Sequence, residues 1–206
     1  MKLQKLGGYA AILSVMCGTG MNWLYFIEND LMNNPMKQYL LFILMIVWSI
    51  FLLITFLVLH ERWKTRMPAL MLIMLIAGSA GAVLQITCRI ILIGAIGLSN
   101  EYIPVFERIV SGFHSSAIVA IAWADLFIGC AILRSREFSR VLGWMFIVSG
   151  LWWISGHFIK PPPQSEQILK ALDHLLFGVC IFWIGIAMIR QKQQEPAATA
   201  IATAAE

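Results

Sequence analysis

The sequence predicts an all-α integral membrane protein, a six-transmembrane-helix bundle with both termini on the cytoplasmic side. The chain of 206 residues is 60% hydrophobic and 13% charged, with a mean hydropathy of +0.80, whereas soluble domains are about half apolar and a quarter charged. Six apolar runs are each long enough to cross a hydrocarbon core. The loops and helix ends on one side of the membrane carry more basic residues than those on the other side, as the positive-inside rule describes.

The six apolar runs are expected to be helices, because lipid offers no hydrogen-bond partner to an unpaired backbone group. A spanning helix needs about 20 residues. Strands of a membrane barrel would alternate apolar and polar residues, and these runs do not. The predicted spans lie near 6–27, 38–59, 68–93, 109–133, 140–159 and 169–189.

The chain is predicted to form one domain. Residues 1–190 make the transmembrane domain, and residues 191–206, rich in alanine and threonine, make a disordered cytoplasmic tail. We expect the first run to be retained and not cleaved as a signal peptide, because it continues past CGTG through MNWLYFI. Three prolines at 161–163 predict an extended exit from the fifth helix.

The charges orient the bundle in the membrane, which we expect to be the inner membrane of the cell. With the N-terminus in the cytoplasm, ten basic residues face the cytoplasm and five face outward. The cytoplasmic ones are Lys2, Lys5, Arg62, Lys64, Arg66, Arg134, Arg136, Arg140, Arg190 and Lys192. They lie in short loops and helix ends, where topology and anionic lipid explain them. No continuous basic face is present, so a nucleic-acid partner is not expected.

The fourth helix carries ionisable residues on one stripe. Glu107, His114 and Asp125 are seven and eleven residues apart, so 3.6 residues per turn places them on one face. A charged side chain facing lipid is costly, so this stripe should face the bundle interior or a cavity. His114 and Asp125 are about 16 Å apart along the axis, too far for a direct hydrogen bond.

Three of the four histidines are predicted to share one depth. In this topology His114, His157 and His174 fall in the outer third of the membrane, beside Asp173. The three histidines could ligate zinc and leave a position for water, or two of them could ligate a haem. Without a metal, His114, His174, Asp173 and Glu107 could transfer protons. Interfacial histidines also satisfy backbone carbonyls or lipid head groups, so a structural role is the competing interpretation.

Asp125 lies near mid-membrane, where a carboxylate must be paired, hydrated or protonated. Two interpretations of Asp125 remain. It contacts a proton or a substrate, or it forms a hydrogen bond that packs two helices together. The polar residues on other helices that could meet it are Asn22, Thr55, Gln85 and Ser149. Arg89 is expected near the outer edge, where its stem could extend outward or reach Glu107.

Small residues and cysteines form the remaining motifs of the sequence. GSAGA at 78–82 and GVCIFWIGIA at 178–187 predict close helix contacts. The four cysteines form no CxxC pair and are expected to be apolar fillers. KLGGYAAIL and FSRVLGWMFIVSG give the chain a layout that resembles small polytopic bacterial membrane proteins of unknown function. That resemblance implies a plasma-membrane helical bundle and carries no activity with it.

Three functions remain open. The first is a membrane enzyme whose outward-facing histidine and carboxylate cluster acts on a lipid-soluble substrate, with Glu107, His114, Asp125 and Asp173 as catalytic candidates. The second is a small transporter or binding protein that uses the stripe with Asp125, and the third is a subunit of a membrane complex. The expected partners are the lipid bilayer, a lipophilic small molecule and a second copy of the chain. Motifs for nucleotide binding and serine nucleophiles are absent.

Overall fold

The computed structural model describes residues 2–27, 34–97, 102–158 and 163–190. These residues form six α-helices and no strand, and each helix coincides with one predicted run. The helices are α1 (Lys2–Ile27), α2 (Pro35–Trp63), α3 (Pro68–Ala95), α4 (Ile103–Ser135), α5 (Arg140–Phe158) and α6 (Pro163–Arg190). Three of them, α2, α3 and α4, are long and apolar enough to cross a membrane. The predicted tail at 191–206 lies outside the described residues.

Four helices begin earlier than the apolar pattern predicted, and the difference is largest for α4 and α6. α4 starts at Ile103 where the pattern indicated 109, and α6 starts at Pro163 where it indicated 169. Proline suits a first helical turn, because its fixed φ is helical and its missing N–H has no partner to lose there. Pro163 therefore opens a helix and is not part of an extended exit. The other two prolines of that run lie outside the described residues.

The start of α2 shows the same use of proline with a side-chain cap. Asn34 precedes Pro35, and its Oδ1 accepts hydrogen bonds from the backbone N–H groups of Met36 and Lys37, at 3.1 and 3.3 Å. An asparagine at this position satisfies donors that have no partner within the helix. The local sequence alone therefore sets where α2 begins.

The six helices form a closed ring in chain order. Each helix packs against the next along the chain, and α6 packs against α1. The short connections make neighbours antiparallel, so α1, α3 and α5 begin where α2, α4 and α6 end. We call this end of the bundle the basic end, after the basic residues at its helix ends and loops, which include Arg62, Lys64, Arg66, Arg134, Arg136, Arg140 and Arg190.

A packed core fills the half of the ring next to the basic end. Phe56, Met71, Ile128, Phe146 and Ile184 come from five helices, and all are fully buried in one hydrophobic cluster. Interior side chains pack at the density of organic crystals, so these contacts hold the five helices in place. The basic half therefore holds the helices together and leaves the opposite half to form a site.

Glycines let the helices of this core approach closely, as the small-residue motifs predicted. A Cβ on Gly81 of α3 would lie 2.6 Å from Ile121 Cγ1 and 2.9 Å from the carbonyl oxygen of Ala117, both in α4. A Cβ on Gly185 of α6 would lie 2.9 Å from the carbonyl oxygen of Gly8 in α1. Both contacts involve backbone atoms, so a side chain at either glycine would force the two helices apart.

We therefore expect Gly81→Ala to destabilise the bundle by about 1–3 kcal/mol, because the new methyl group overlaps the backbone of α4. Gly94→Ala is the matched control in the same helix, since a Cβ there meets no atom within 4 Å. Circular dichroism in detergent measures the unfolding temperature of each variant. Equal unfolding temperatures for the two variants would contradict the close contact.

The basic end is joined by a cluster around Glu137. Its carboxylate accepts hydrogen bonds from Arg62 Nε at 2.8 Å and Trp63 Nε1 at 3.1 Å, and it forms an ion pair with Arg66. The Arg62 guanidinium lies 5.0 Å from the centre of the Phe138 ring. These contacts tie the α2–α3 connection to the α4–α5 connection. Burial alone would raise the pKa of Glu137, but Arg62, Trp63 and Arg66 outweigh it, so this pKa lies below its ordinary value.

Because the folded pKa of Glu137 is lowered, its contribution to stability is present above the unfolded pKa and disappears as the pH falls through the folded pKa. Glu137→Gln should cost about 1–3 kcal/mol at neutral pH. It should also lose less stability than the wild type between neutral pH and about pH 3. Unfolding temperatures of the variant and the wild type, measured across this pH range, test this prediction. Glu61→Gln, which removes an exposed partner of Lys64, should follow the wild-type pH profile closely.

Candidate functional site

A cavity of about 420 Å³ occupies the half of the ring opposite the basic end. All six helices contribute to its lining. Its volume falls in the range of small-molecule sites, which are mostly apolar with a few placed polar groups. The apolar lining includes Met45, Trp48, Ile118, Ile121 and Phe177, and the polar lining includes Ser14, Thr19, Gln85, Arg89, His114, Trp153 and His174.

The polar part of the lining centres on α3 and α4. Gln85 and Arg89 are four residues apart on α3, so they share one face, and Arg89 Nη2 donates to Gln85 Oε1 at 3.2 Å. His114 of α4 completes the group. Its Nδ1 lies 3.2 Å from Gln85 Nε2 and 3.3 Å from Arg89 Nη2. The three side chains form one hydrogen-bonded cluster at the cavity wall.

The neighbours of His114 fit either of its neutral tautomers. A guanidinium has N–H donors and no acceptor. The contact with Arg89 Nη2 is therefore a hydrogen bond only when Nδ1 of His114 is an acceptor. In the neutral ring the proton then lies on Nε2. With the proton on Nδ1 instead, that nitrogen donates to Gln85 Oε1 at 3.3 Å, so the cluster orients the imidazole in either tautomer.

Arg89 is buried inside the bundle, so its side chain does not extend outward, which was one of the two alternatives that the sequence offered. It is only 7% exposed. Its hydrogen-bond partners are Gln85 and His114, and not Glu107 as the sequence suggested. Among the described residues no carboxylate lies within ion-pair distance of its guanidinium. The charge of Arg89 is therefore held by neutral polar groups beside a cavity.

Two further polar groups of the lining come from other sides of the ring. The rings of Trp153 in α5 and His174 in α6 are 5.4 Å apart between centroids, in an edge-to-face arrangement. Trp153 Nε1 is buried without a hydrogen-bond partner, and so is Ser14 Oγ in α1. Ser14 is fully buried. Buried hydroxyl and indole groups usually have hydrogen-bond partners in proteins, so two buried donors without acceptors are an unusual feature of a cavity lining.

The structure brings together two of the predicted site residues, His114 and His174, and separates two others from them, Glu107 and Asp125. His114 and His174 line the same cavity. Glu107 is exposed at the start of α4, and Asp125 is fully buried. Asp125 follows Ile121 of the cavity lining by one helical turn, so it lies just below the cavity floor toward the basic half. The side chains of His157 and Asp173 lie outside the described residues.

No metal centre is formed by the side chains that the structure describes. They contain no group of three or more histidine, cysteine, aspartate and glutamate residues that could hold a metal ion. His114 Nδ1 is already engaged by Gln85 and Arg89, and a cation beside it disfavours a bound metal ion. The predicted zinc site is not supported by these residues, and a haem between two histidines stays a prediction.

Sequence reasoning missed Arg89, Ser14 and Trp153 as parts of the site. The signal for Arg89 was present, because Gln85 and Arg89 lie four residues apart on an otherwise apolar helix. Polar residues with this spacing in a membrane helix turn one face toward the interior. For Ser14 and Trp153 no local signal existed, since serine and tryptophan are frequent in such helices and their placement depends on the rotation of each helix.

Comparison with known proteins finds no matching family model, no matching curated protein and no matching solved structure.

Proposed function

We propose that all six helices cross a bacterial inner membrane, with the basic end in the cytoplasm and the cavity in the outer half of the bilayer. The excess of lysine and arginine at one end supports this orientation. The apolar character of α2, α3 and α4 supports insertion. In this orientation both termini are cytoplasmic, and the packed core closes the cytoplasmic side of the bundle.

In that setting the protein binds a lipid-soluble small molecule in the cavity. The observation that carries this proposal is a mostly apolar cavity of about 420 Å³ with a polar cluster confined to part of its wall. An apolar lining receives an apolar chain, and a small set of polar groups orients its head. Helix bundles commonly build ligand sites between helices in this way.

Saturable binding of tritiated dodecyl amphiphiles tests the proposal. The full chain in maltoside micelles is immobilised on scintillation beads and titrated with amphiphiles that share a chain and differ in head group. One saturable site per chain is expected for at least one of them. Only non-saturable uptake, the same as by empty micelles, for every head group would rule the binding function out.

Acid–base catalysis on the bound molecule is a second candidate. The observation in its favour is that two imidazoles, His114 and His174, line one cavity, with His114 oriented through Nδ1. Among the described side chains, Glu107 and Asp125 do not line the cavity, so the two histidines are the acid–base groups in reach there. Hydrolysis of p-nitrophenyl dodecanoate should then fall about 100-fold in His114→Asn while amphiphile binding persists. A wild-type rate equal to that of empty micelles would exclude this esterase activity.

Transport is favoured by one further observation, the fully buried carboxylate of Asp125 just below the cavity. Intramembrane carboxylates mark proton and substrate paths in many transporters. Asp125→Asn should then abolish uptake of a dodecyl amphiphile into proteoliposomes and leave binding intact. Unchanged uptake in this variant would assign Asp125 to helix packing.

A further inference from the structure

We propose that the molecule bound in the cavity carries an oxyanion head group, a carboxylate or a phosphate, that binds at Arg89. This inference rests on the proposed binding function and adds the chemical class of the ligand. It is carried by the charge of Arg89, by unpartnered hydrogen-bond donors on other helices, and by the apolar remainder of the lining.

Arg89 supplies a positive charge that the described protein groups do not neutralise. Its side chain is 7% exposed, and its hydrogen-bond acceptors, Gln85 and His114, engage only Nη2. Nε is buried without a hydrogen-bond partner. A buried guanidinium surrounded by neutral groups is costly, and an anion that pairs with it recovers that cost. The planar fork of arginine matches the two oxygens of a carboxylate or phosphate.

Unpartnered donors from two other helices point to the same chemistry independently. Ser14 Oγ and Trp153 Nε1 are buried without partners, in residues that line the same cavity as Arg89. An indole N–H can only donate, and so can a guanidinium. In a bilayer no water replaces the missing acceptors, so each unsatisfied donor carries an energetic cost. A ligand with several acceptor oxygens would satisfy donors from α1, α3 and α5 together.

The rest of the lining argues that the anion is part of an amphipathic molecule. Met45, Trp48, Ile118 and Phe177 are apolar lining residues on three helices. Burial of an apolar chain against them contributes about 25 cal/mol per Å² of surface. A free phosphate gains nothing from these residues and still loses its hydration. The lining therefore fits a long-chain carboxylate or an alkyl phosphate and not an inorganic ion.

Head-group preference tests this inference with the full chain in maltoside micelles at neutral pH. Dodecanoate and dodecyl phosphate should each bind about tenfold or more tightly than dodecanol, as expected for a hydrogen-bonded ion pair. Inorganic phosphate should displace neither. Binding of dodecanol as tight as that of both anions would overturn the oxyanion and leave the cavity as a ligand site. Displacement by inorganic phosphate would overturn the amphipathic ligand.

Variants assign the preference to Arg89. Arg89→Gln should reduce the preference for the anions to below about threefold and leave dodecanol binding unchanged, whereas Arg89→Lys should retain part of it. Arg134→Gln makes the same exchange at an exposed residue of the basic end and should keep the full preference. If Arg89→Gln does not fold, Ser14→Ala with Trp153→Phe removes the other two donors and should weaken anion binding selectively. An undiminished preference in the folded variants would overturn the inference.

Discussion

Gly178→Leu should weaken saturable amphiphile binding by about tenfold or more. Gly178 lines the cavity, and a Cβ at this position would meet only Val15 Cγ1, at 3.9 Å. That distance is an ordinary van der Waals contact, so the side chain begins without a clash. Its outer atoms then occupy volume that the ligand needs. The scintillation assay measures the affinity, and the unfolding temperature shows that the bundle persists.

Gly94→Leu is the matched control for the filled cavity. It makes the same exchange in α3, at a position where a Cβ meets no atom within 4 Å. Its affinity for the dodecyl amphiphiles should equal that of the wild type. A wild-type affinity in Gly178→Leu would place the ligand elsewhere, because a leucine and the ligand cannot share the same space.

Phe56→Ala should destabilise the bundle by about 3 kcal/mol, the largest loss of stability that we expect. Phe56 is fully buried in the core of the basic half. Its ring fills a hollow at Gly78 of α3, since a Cβ there would lie 2.4 Å from the ring. Helices in lipid associate through packing and not through exclusion of water, so the lost ring contacts and the remaining void set the cost.

Two comparisons isolate this packing contribution. Phe182→Ala makes the same exchange at a phenylalanine that is 43% exposed and should lower the unfolding temperature much less. Gly78→Ala should destabilise the wild type and be tolerated when Phe56 is alanine, because the two changes affect one contact. Additive effects of the pair, or equal losses at Phe56 and Phe182, would show that the ring does not hold α2 against α3.

The number and placement of the helices could be predicted from sequence because a local rule applies to long apolar runs. Each apolar run must satisfy its own backbone hydrogen bonds, so every run becomes one helix. The errors lie at helix starts, where Ile103 and Pro163 begin earlier than hydropathy indicated. Polar and proline-containing first turns have low hydropathy and are still helical. The close contacts at Gly78, Gly81 and Gly185 were also predicted, since small residues are a local pattern.

The candidate site was only partly predictable. The shared depth of His114 and His174 followed from topology, and both residues line one cavity. The predicted stripe of Glu107, His114 and Asp125 was a correct use of helical spacing, yet Glu107 is exposed and Asp125 is fully buried. Spacing fixes the angle of a residue around the helix. It does not say whether a neighbouring helix covers that depth.

The sequence by itself determined a six-helix chain with an apolar exterior and one basic end, because composition and charge act residue by residue along each run. Only the tertiary structure decided which polar residues meet. Arg89 contacts His114, and Trp153 faces His174, because each helix has one rotation within a closed ring of six. That rotation is a property of how all the helices pack together. It places the core in one half and the cavity in the other.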